Sequence, residues 1–407
     1  MDINFCRRVD SRLGPFLCRS LLLLKKVWSC ISPLSKIESP TLPKNIIIIK
    51  FWGMGTILLA SPSVRCIKKK YPSAQITLLT LSDNKELCSI LNSFDKKIYL
   101  DLKSSMKFVF GYLQALYTIR RGRFDTVIDL EFITNFSALT TLMITIFSKT
   151  KRIIGFNSPV RWRNSVYFYN VSFDHSRHIS KIFEKMFAIL DLEPKTISIE
   201  KDQRELHQAA DVGFLINDPK LSNIFEPSQK VVCVNINSGA MSHLRRWSKE
   251  NFACVIKYLV KKNDVCVALI GSKGDVNYTE EFFKQLPKTK RVINFCGKLS
   301  INQLIGLYSK SKFLITNDSG PMHIAATVGL PTVCFFGPET PYLYRPQGDQ
   351  HHIFYSDIFC SPCLNIYNSK SADCNENVCL KKISPESVLK VIEEKFLPEI
   401  NPVCREV

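Results

Sequence analysis

The first 45 residues of this 407-residue chain lack any charge-free apolar run near the roughly 20 residues that a membrane-spanning helix needs. Residues 5–28 read FCRRVDSRLGPFLCRSLLLLKKVW, and Arg7, Arg8, Arg12, Arg19, Lys25 and Lys26 interrupt the apolar residues. The uninterrupted apolar core and small-residue cleavage site of a secretory signal are also missing. No RNP-type aromatic signature and no paired C2H2 spacing occurs, so nucleic acid is not an expected partner. Acidic residues are scarce: 36 Asp and Glu stand against 55 Lys and Arg, a formal net charge of +19. Such a field favours polyanions, such as an anionic membrane or phosphorylated substrates, although a solvated basic surface has the same composition. The chain is 45% hydrophobic and 22% charged, which excludes general disorder. Its length suggests two domains rather than one core.

What the N-terminus does have is a stripe. Phe5, Val9, Leu13, Phe16, Leu17, Leu21, Leu24 and Trp28 recur at helical spacing, flanked by basic residues. Residues 1–45 hold eight Lys and Arg against three Asp and Glu. The pattern predicts an amphipathic helix over 1–43, lying in the plane of an anionic membrane surface or packed on the protein's own body. Gly14-Pro15 predicts a break in it.

After Pro43 the pattern alternates. Strands are expected at Ile46–Ile49, Ile76–Thr80, Lys97–Leu100, Thr126–Leu130 and Arg152–Phe156, with helices such as Ser61–Lys70 and Phe108–Arg121 between them. The alternation restarts with Val231–Asn235, Val265–Ile270, Val292–Phe295, Phe313–Thr316 and Thr332–Phe336, and a helix near Pro385–Phe396 closes it. The fold class is therefore α/β, with two doubly wound parallel-sheet domains, 44–210 and 228–400, facing a cleft. Residues 211–230 read as their connection. Ligands in such sheets bind beyond the carboxyl ends of the strands, so motifs there carry the most weight.

Four strand ends stand out. Gly53 and Gly55 follow the first strand and permit close backbone approach, but Leu58 stops the pattern short of G-x-G-x-x-G, so a dinucleotide fingerprint is rejected. Ser238-Gly239-Ala240 precedes Arg245-Arg246-Trp247, where guanidinium groups are able to fork onto phosphate oxygens. Gly271-Ser272-Lys273-Gly274-Asp275 follows another strand. The fourth is Thr316-Asn317-Asp318-Ser319-Gly320-Pro321-Met322-His323. Asp318 or Ser319 is a candidate helix cap and Pro321 suits a first turn. The same turn is a candidate phosphate cradle, because bare N–H groups at a helix start attract anions and His323 adds a donor. On physics alone the two readings are level.

Asn317 to His323, with Ala325-Ala326, Gly329-Leu330-Pro331 and Phe336-Gly337-Pro338-Glu339-Thr340, resembles the signature of glycosyltransferase family 9, the ADP-heptose:lipopolysaccharide heptosyltransferases and their relatives. Residues 47–62, Arg65, Tyr71-Pro72, Phe124-Asp125, Ile128-Asp129-Leu130 and Arg245-Arg246-Trp247 resemble further blocks in the same order. The resemblance covers about 44–395. It implies a GT-B fold and metal-independent, inverting transfer from a nucleotide-diphosphate sugar, ADP-heptose-like, with heptose the favoured sugar. The implied acceptor is a lipid-linked saccharide of lipopolysaccharide type, held by the first domain. It further implies a cytoplasmic enzyme, peripheral on the inner face of a bacterial inner membrane. Ser319, Gly320 and His323 would hold the diphosphate, Asp318 would help seat the donor, and Arg245 stands where the family's lysine contacts phosphate. Ser238, Gly239 and Arg246 join the donor side, Asp275 would accept from ribose hydroxyls, and Gly53, Gly55 and Thr56 would meet the acceptor. The alternatives are an epimerase of the same fold and a decayed membrane-binding relative.

One departure matters. The family's first motif usually ends in an Asp, the proposed general base, and this chain has Thr56. Thr is no carboxylate base, so the role is expected of Glu131 or Asp129 at the end of the Thr126–Leu130 strand. The basic region 151–177, with Lys151, Arg152, Arg161, Arg163 and Arg177, is either an acceptor surface or a solvated face. Most of the 15 cysteines, such as Cys233, Cys266 and Cys334, sit singly in apolar runs and read as reduced core residues. Cys360, Cys363, Cys374 and Cys379 cluster as C-x2-C-x10-C-x4-C within a Cys-rich loop, 360–379. This is a candidate structural zinc site, with disulfides or free thiols as alternatives. No cofactor is expected for catalysis.

Overall fold

The structure is a computed structural model that describes residues 3–31, 42–102, 104–132, 134–148, 150, 152–192, 200–217, 228–239, 242–368 and 370–398. Ala240, Lys151 and residues 218–227 of the expected 211–230 connection lie outside the described residues. The chain divides into two compact units. Unit 1 comprises Met1–Glu205 with Ile366–Ser369, and unit 2 comprises Leu206–Asn365 with Lys370–Val407.

Unit 1 is built on six parallel strands: β1 (Asn45–Ile49), β2 (Gln75–Leu81), β3 (Lys96–Leu100), β4 (Thr126–Asp129), β5 (Arg152–Phe156) and β6 (Tyr169–Val171), in the order β3-β2-β1-β4-β5-β6. The isoleucines of β1 are fully buried because helices cover both faces of a parallel sheet. Asp125 anchors the start of that strand, accepting from the backbone N–H of Lys44 and of Asn45, both at 2.8 Å. Unit 2 repeats the plan with β7 (Lys230–Asn235), β8 (Val265–Leu269), β9 (Val292–Asn294), β10 (Ser311–Asn317), β11 (Thr332–Phe336) and β12 (His352–Tyr355), in the order β12-β11-β10-β7-β8-β9. Read from the first strand of each unit, the two orders are the same. Each reverses direction beside that strand, leaving a crevice between β1 and β4 and another between β7 and β10. The edge strands β6 and β12 are short and only partly buried, which is why sequence pattern missed them.

The N-terminal segment forms two helices, α1 (Ile3–Arg12) and α2 (Gly14–Ile31), which part at Leu13 just before Gly14-Pro15. The helix after β1, α3 (Met54–Lys70), begins seven residues earlier than Ser61 and runs through Pro62. Gly53 at its N-terminus has φ +87°, and this left-handed residue turns the chain directly from strand into helix. Further along are α4 (Lys85–Ile90), α5 (Ser105–Gly122) and α6 (Asn135–Ser148). The α6 helix is flanked by α2 and α5, and residues of all three (Cys18, Leu116, Leu142) share one core with β1 and β4. Arg65 clamps the helix Glu200–Gln208 onto α3 through Asp202 and Glu205, each at 2.6 Å.

Unit 2's core centres on Trp247, stacked 4.3 Å from Phe335 between ring centroids, with its indole N–H donating to the carbonyl of Ile383 at 3.0 Å. Cys233, Cys266 and Cys334 are buried free thiols, and burial pushes Cys233 and Cys334 up to about 12. The closing segment is the helix Pro385–Val391 followed by a wider turn over Ile392–Phe396.

Candidate functional site

The β7–β10 crevice of unit 2 is lined by amides and hydroxyls. Asn235, the last residue of β7, donates through Nδ2 to Thr316 Oγ1 (3.2 Å) and Ser319 Oγ (3.0 Å). Asn317, the last of β10, donates to the carbonyl of Ile236 (3.0 Å) and accepts from the backbone N–H of Trp247 (2.8 Å). These bonds lock two neighbouring strand-end loops into one frame. The helix Gly320–Thr327 starts from that frame, with Ser319 at its N-cap position and Pro321 in its first turn.

Here the capping expectation fails. Neither Asp318 nor Ser319 caps this helix with its side chain. The Ser319 hydroxyl is turned toward Asn235 and Thr316 instead, and Asp318 is taken by Arg245. Arg245 donates through Nη1 to the Asp318 carbonyl (3.0 Å) and carboxylate (3.1 Å), and through Nη2 to the Ser238 carbonyl (2.6 Å). The first turn is left with no side-chain cap, at the end of a strand and beside an arginine. His323 is buried within that first turn. The structure therefore brings together Ser238, Arg245, Asp318, Ser319, Gly320 and His323. Gly239 adjoins them with φ +70°.

Other residues take more local roles. Asp275 Oδ2 accepts from the backbone N–H (3.0 Å) and hydroxyl (2.6 Å) of Ser272, closing a capping box, so that oxygen is not available for a ribose. Its Oδ1 lies 3.9 Å from Arg246, whose guanidinium sits 3.9 Å over the Tyr278 ring. Two residues of this region were overlooked in the sequence. Glu339, beyond β11, is buried and pairs with Lys370, while its Oε1 has no partner among the described residues. Burial raises its carboxyl above the ordinary range. The Phe336–Thr340 block marked the position, but only the fold shows that the acid points inward.

The β1–β4 crevice of unit 1 is built differently. Glu131 Oε1 accepts from Lys50 Nζ (3.0 Å) and from the backbone N–H groups of Phe51 (2.6 Å) and Trp52 (2.9 Å). Both charged side chains are almost wholly buried, and Lys50 also lies 4.2 Å over the Phe132 ring. Thr56 Oγ1 donates back to the Gly53 carbonyl at 2.6 Å, so it closes the turn rather than reaching outward. Gly55 is buried inside α3. Asp129 is corrected as a catalytic candidate: it has no exposed surface and accepts from Tyr167 Oη (2.7 Å) and the Glu131 N–H (3.0 Å). Burial lifts its carboxyl to about 6, despite the bond from Tyr167. Arg163 is likewise no acceptor surface; it is buried and donates to Asn135 Oδ1 (3.0 Å) and the Thr134 carbonyl.

Cys360, Cys363, Cys374 and Cys379 are free thiols; burial, and then the neighbouring cysteines, push the thiols of Cys363 and Cys379 up. Among the described residues, no group of three or more His, Cys, Asp or Glu is arranged to hold a metal ion.

The profile of glycosyltransferase family 9 (heptosyltransferase) matches residues 113–372, more than half of the chain. The chain belongs to glycosyltransferase family 9. It is 26% identical over 361 residues to lipooligosaccharide heptosyltransferase 2 of Campylobacter jejuni, covering 87% of this chain and all of that protein. A family 9 glycosyltransferase from Veillonella parvula superposes with a TM-score of 0.65 at 20% identity, covering 89% of this chain and 99% of its own. The Escherichia coli ADP-heptose lps heptosyltransferase II superposes with a TM-score of 0.63 at 18% identity, covering 87% and 98%. The chain is thus a glycosyltransferase with the two Rossmann-like sheets of the GT-B class.

Proposed function

We propose that this enzyme transfers a heptose from ADP-heptose to a lipid-linked saccharide of lipopolysaccharide or lipooligosaccharide type, with inversion and without a metal cofactor. The observation that carries the proposal is the uncapped start of the Gly320–Thr327 helix at the β7–β10 crevice, with Arg245 beside it. A diphosphate is the ligand such a site suits: backbone N–H groups and a guanidinium face its oxygens, and the helix dipole favours negative charge. These donors are already held in place, so they stabilise charge on the departing ADP without reorganising. The names of the relatives supply the sugar and the acceptor class.

In the proposed step, an acceptor hydroxyl oxygen attacks the anomeric carbon from the face opposite the nucleotide. The bond from that carbon to the β-phosphate oxygen breaks, and ADP leaves with the electron pair. The hydroxyl proton passes to Glu131. Three donors fix Oε1 of this residue, so the proposal assigns the proton to Oε2. The donor belongs to unit 2 and the acceptor to unit 1. The proposal puts the enzyme in the cytoplasm, on the inner face of a bacterial inner membrane. Among the described residues, no helix is long and apolar enough to cross one.

Transfer from ADP-heptose to a truncated lipooligosaccharide, in buffer containing a chelator, tests the reading. Glu131→Gln is expected to keep ADP binding and lose about 100-fold or more in kcat. Unchanged turnover removes Glu131 as the base. Donor consumption without acceptor would point to epimerisation instead.

A further inference from the structure

We infer that unit 1 docks on an anionic lipid bilayer through a surface formed by α2 and α5 together, on either side of α6. The α2 helix is apolar on two faces. Its inner face (Cys18, Leu21, Leu22) packs into the unit 1 core with α6. Its outer face does not: Phe16 is 69% exposed, and Leu17, Leu23, Leu24 and Val27 are also exposed. At about 100° per residue these five side chains fall within roughly 120° of arc, so they form one continuous stripe.

The α5 helix repeats this pattern. Met106 (82% exposed), Val109, Phe110 (74% exposed), Leu113 and Tyr117 recur at i, i+3, i+4, i+7 and i+11, and they face solvent. Its opposite face (Ala115, Leu116, Ile119) is in the core. Both helices are thus fully anchored by their inner sides and still present a second apolar stripe. Scattered exposed apolar residues are ordinary, whereas two continuous stripes of large ones, on helices that both pack on α6, mark an interaction surface.

Charge identifies the occupant. The helices α1, α2 and α5 carry Arg7, Arg8, Arg12, Arg19, Lys25, Lys26, Lys107, Arg120 and Arg121 against a single acid, Asp10. That acid is turned inward, accepting from the backbone N–H groups of Asn135 (3.1 Å) and Phe136 (2.6 Å) at the start of α6. The outer surface is therefore apolar and basic with no compensating carboxylate on these helices. An anionic bilayer answers both properties at once: acyl chains receive the stripes and headgroup phosphates receive the rim. A second copy of the chain would bring the same basic rim against itself.

The test is co-sedimentation of the full chain with phosphatidylcholine vesicles, with and without phosphatidylglycerol. Binding is expected only with phosphatidylglycerol. The double variants Phe16→Ser/Leu24→Ser and Val109→Ser/Phe110→Ser are each expected to weaken it at least about tenfold. These side chains are exposed, so melting temperature and ADP binding should stay as in the parent protein. The inference fails if phosphatidylglycerol vesicles are not bound, or if both variants bind like the parent, which would leave a merely basic surface. It also fails if light scattering shows a dimer that the variants dissolve, since the occupant would then be a second copy.

Discussion

The crevice between β1 and β4 and the crevice between β7 and β10 occupy the same place in two sheets of identical strand order, yet they are finished in opposite ways. In unit 1 a buried lysine and glutamate neutralise each other, and the glutamate also holds two backbone N–H groups of the β1–α3 turn. In unit 2 the frame is made of neutral amides and hydroxyls, and a helix start without a side-chain cap is left for something else to satisfy. Topology supplies a place for a ligand. Under the proposed function, whether the protein fills it with its own charges decides which half grips an anion.

The largest effect should come from removing the lysine. Lys50→Met strands a buried carboxylate, and breaking a buried pair in this way costs about 3–5 kcal/mol. A fall in the denaturant midpoint of unit 1 would show it. Adding Glu131→Leu should restore part of the loss, because the uncompensated charge goes too. Arg245→Met is the matched change in unit 2. That arginine keeps some contact with solvent, at 15% side-chain exposure, and the expected stability cost is smaller, about 1–2 kcal/mol. Its loss should appear chiefly as ADP binding weakened about tenfold or more. Equal destabilisation by the two variants would erase the contrast between the crevices.

The next effect is on pH dependence. Asp129 has a folded-state value of about 6 against an ordinary 3.8, because burial disfavours its charge. Between about pH 4 and 6 the folded protein therefore holds a proton that the unfolded chain has lost. Stability contributed by this group falls as pH rises through that window, by on the order of 2–3 kcal/mol in all. Glu339 in unit 2 is raised by burial as well, so the parent protein sums both slopes. Asp129→Asn should remove only the unit 1 part, seen as a flatter plot of denaturant midpoint against pH. A plot parallel to the parent's would show that Asp129 is charged throughout.

Much of this was legible in the chain. The isoleucine run of β1 and the valine-rich runs of β7 and β8 show buried parallel strands, and the Asn317–His323 block marks the strand end where the candidate site is framed. Two of the edges, Tyr169–Val171 and His352–Tyr355, were not legible, because these strands are short and only partly buried. Side-chain direction was the other gap. Asp318 and Ser319 have the chemistry of caps, but tertiary partners, Arg245 and Asn235, claim them instead. Asp129 and Arg163 carry charges that usually mark a surface, and the fold spends both inside. A helix was expected over Ser61–Lys70, whereas α3 already starts at Met54. For Asp318, Ser319, Asp129 and Arg163, local preference gave way to a partner distant in sequence.

The smallest effect concerns what unit 1 carries and unit 2 does not: an N-terminal pair of helices attached to its core. Asp10 makes the attachment by capping α6, a helix more than a hundred residues away, and the Asn135 side chain returns a bond to the Asp10 carbonyl at 2.8 Å. Asp10→Ala should cost about 1 kcal/mol, the usual worth of a cap. The core contacts of Cys18 and Leu21 remain, so the global midpoint should scarcely move. What should change is local opening, read as faster tryptic cleavage after Arg12 and Arg19, with ADP binding unaffected. Cleavage no faster than in the parent would mean that apolar packing alone holds α1 and α2 in place. The cap would then serve α6 rather than the segment that supplies it.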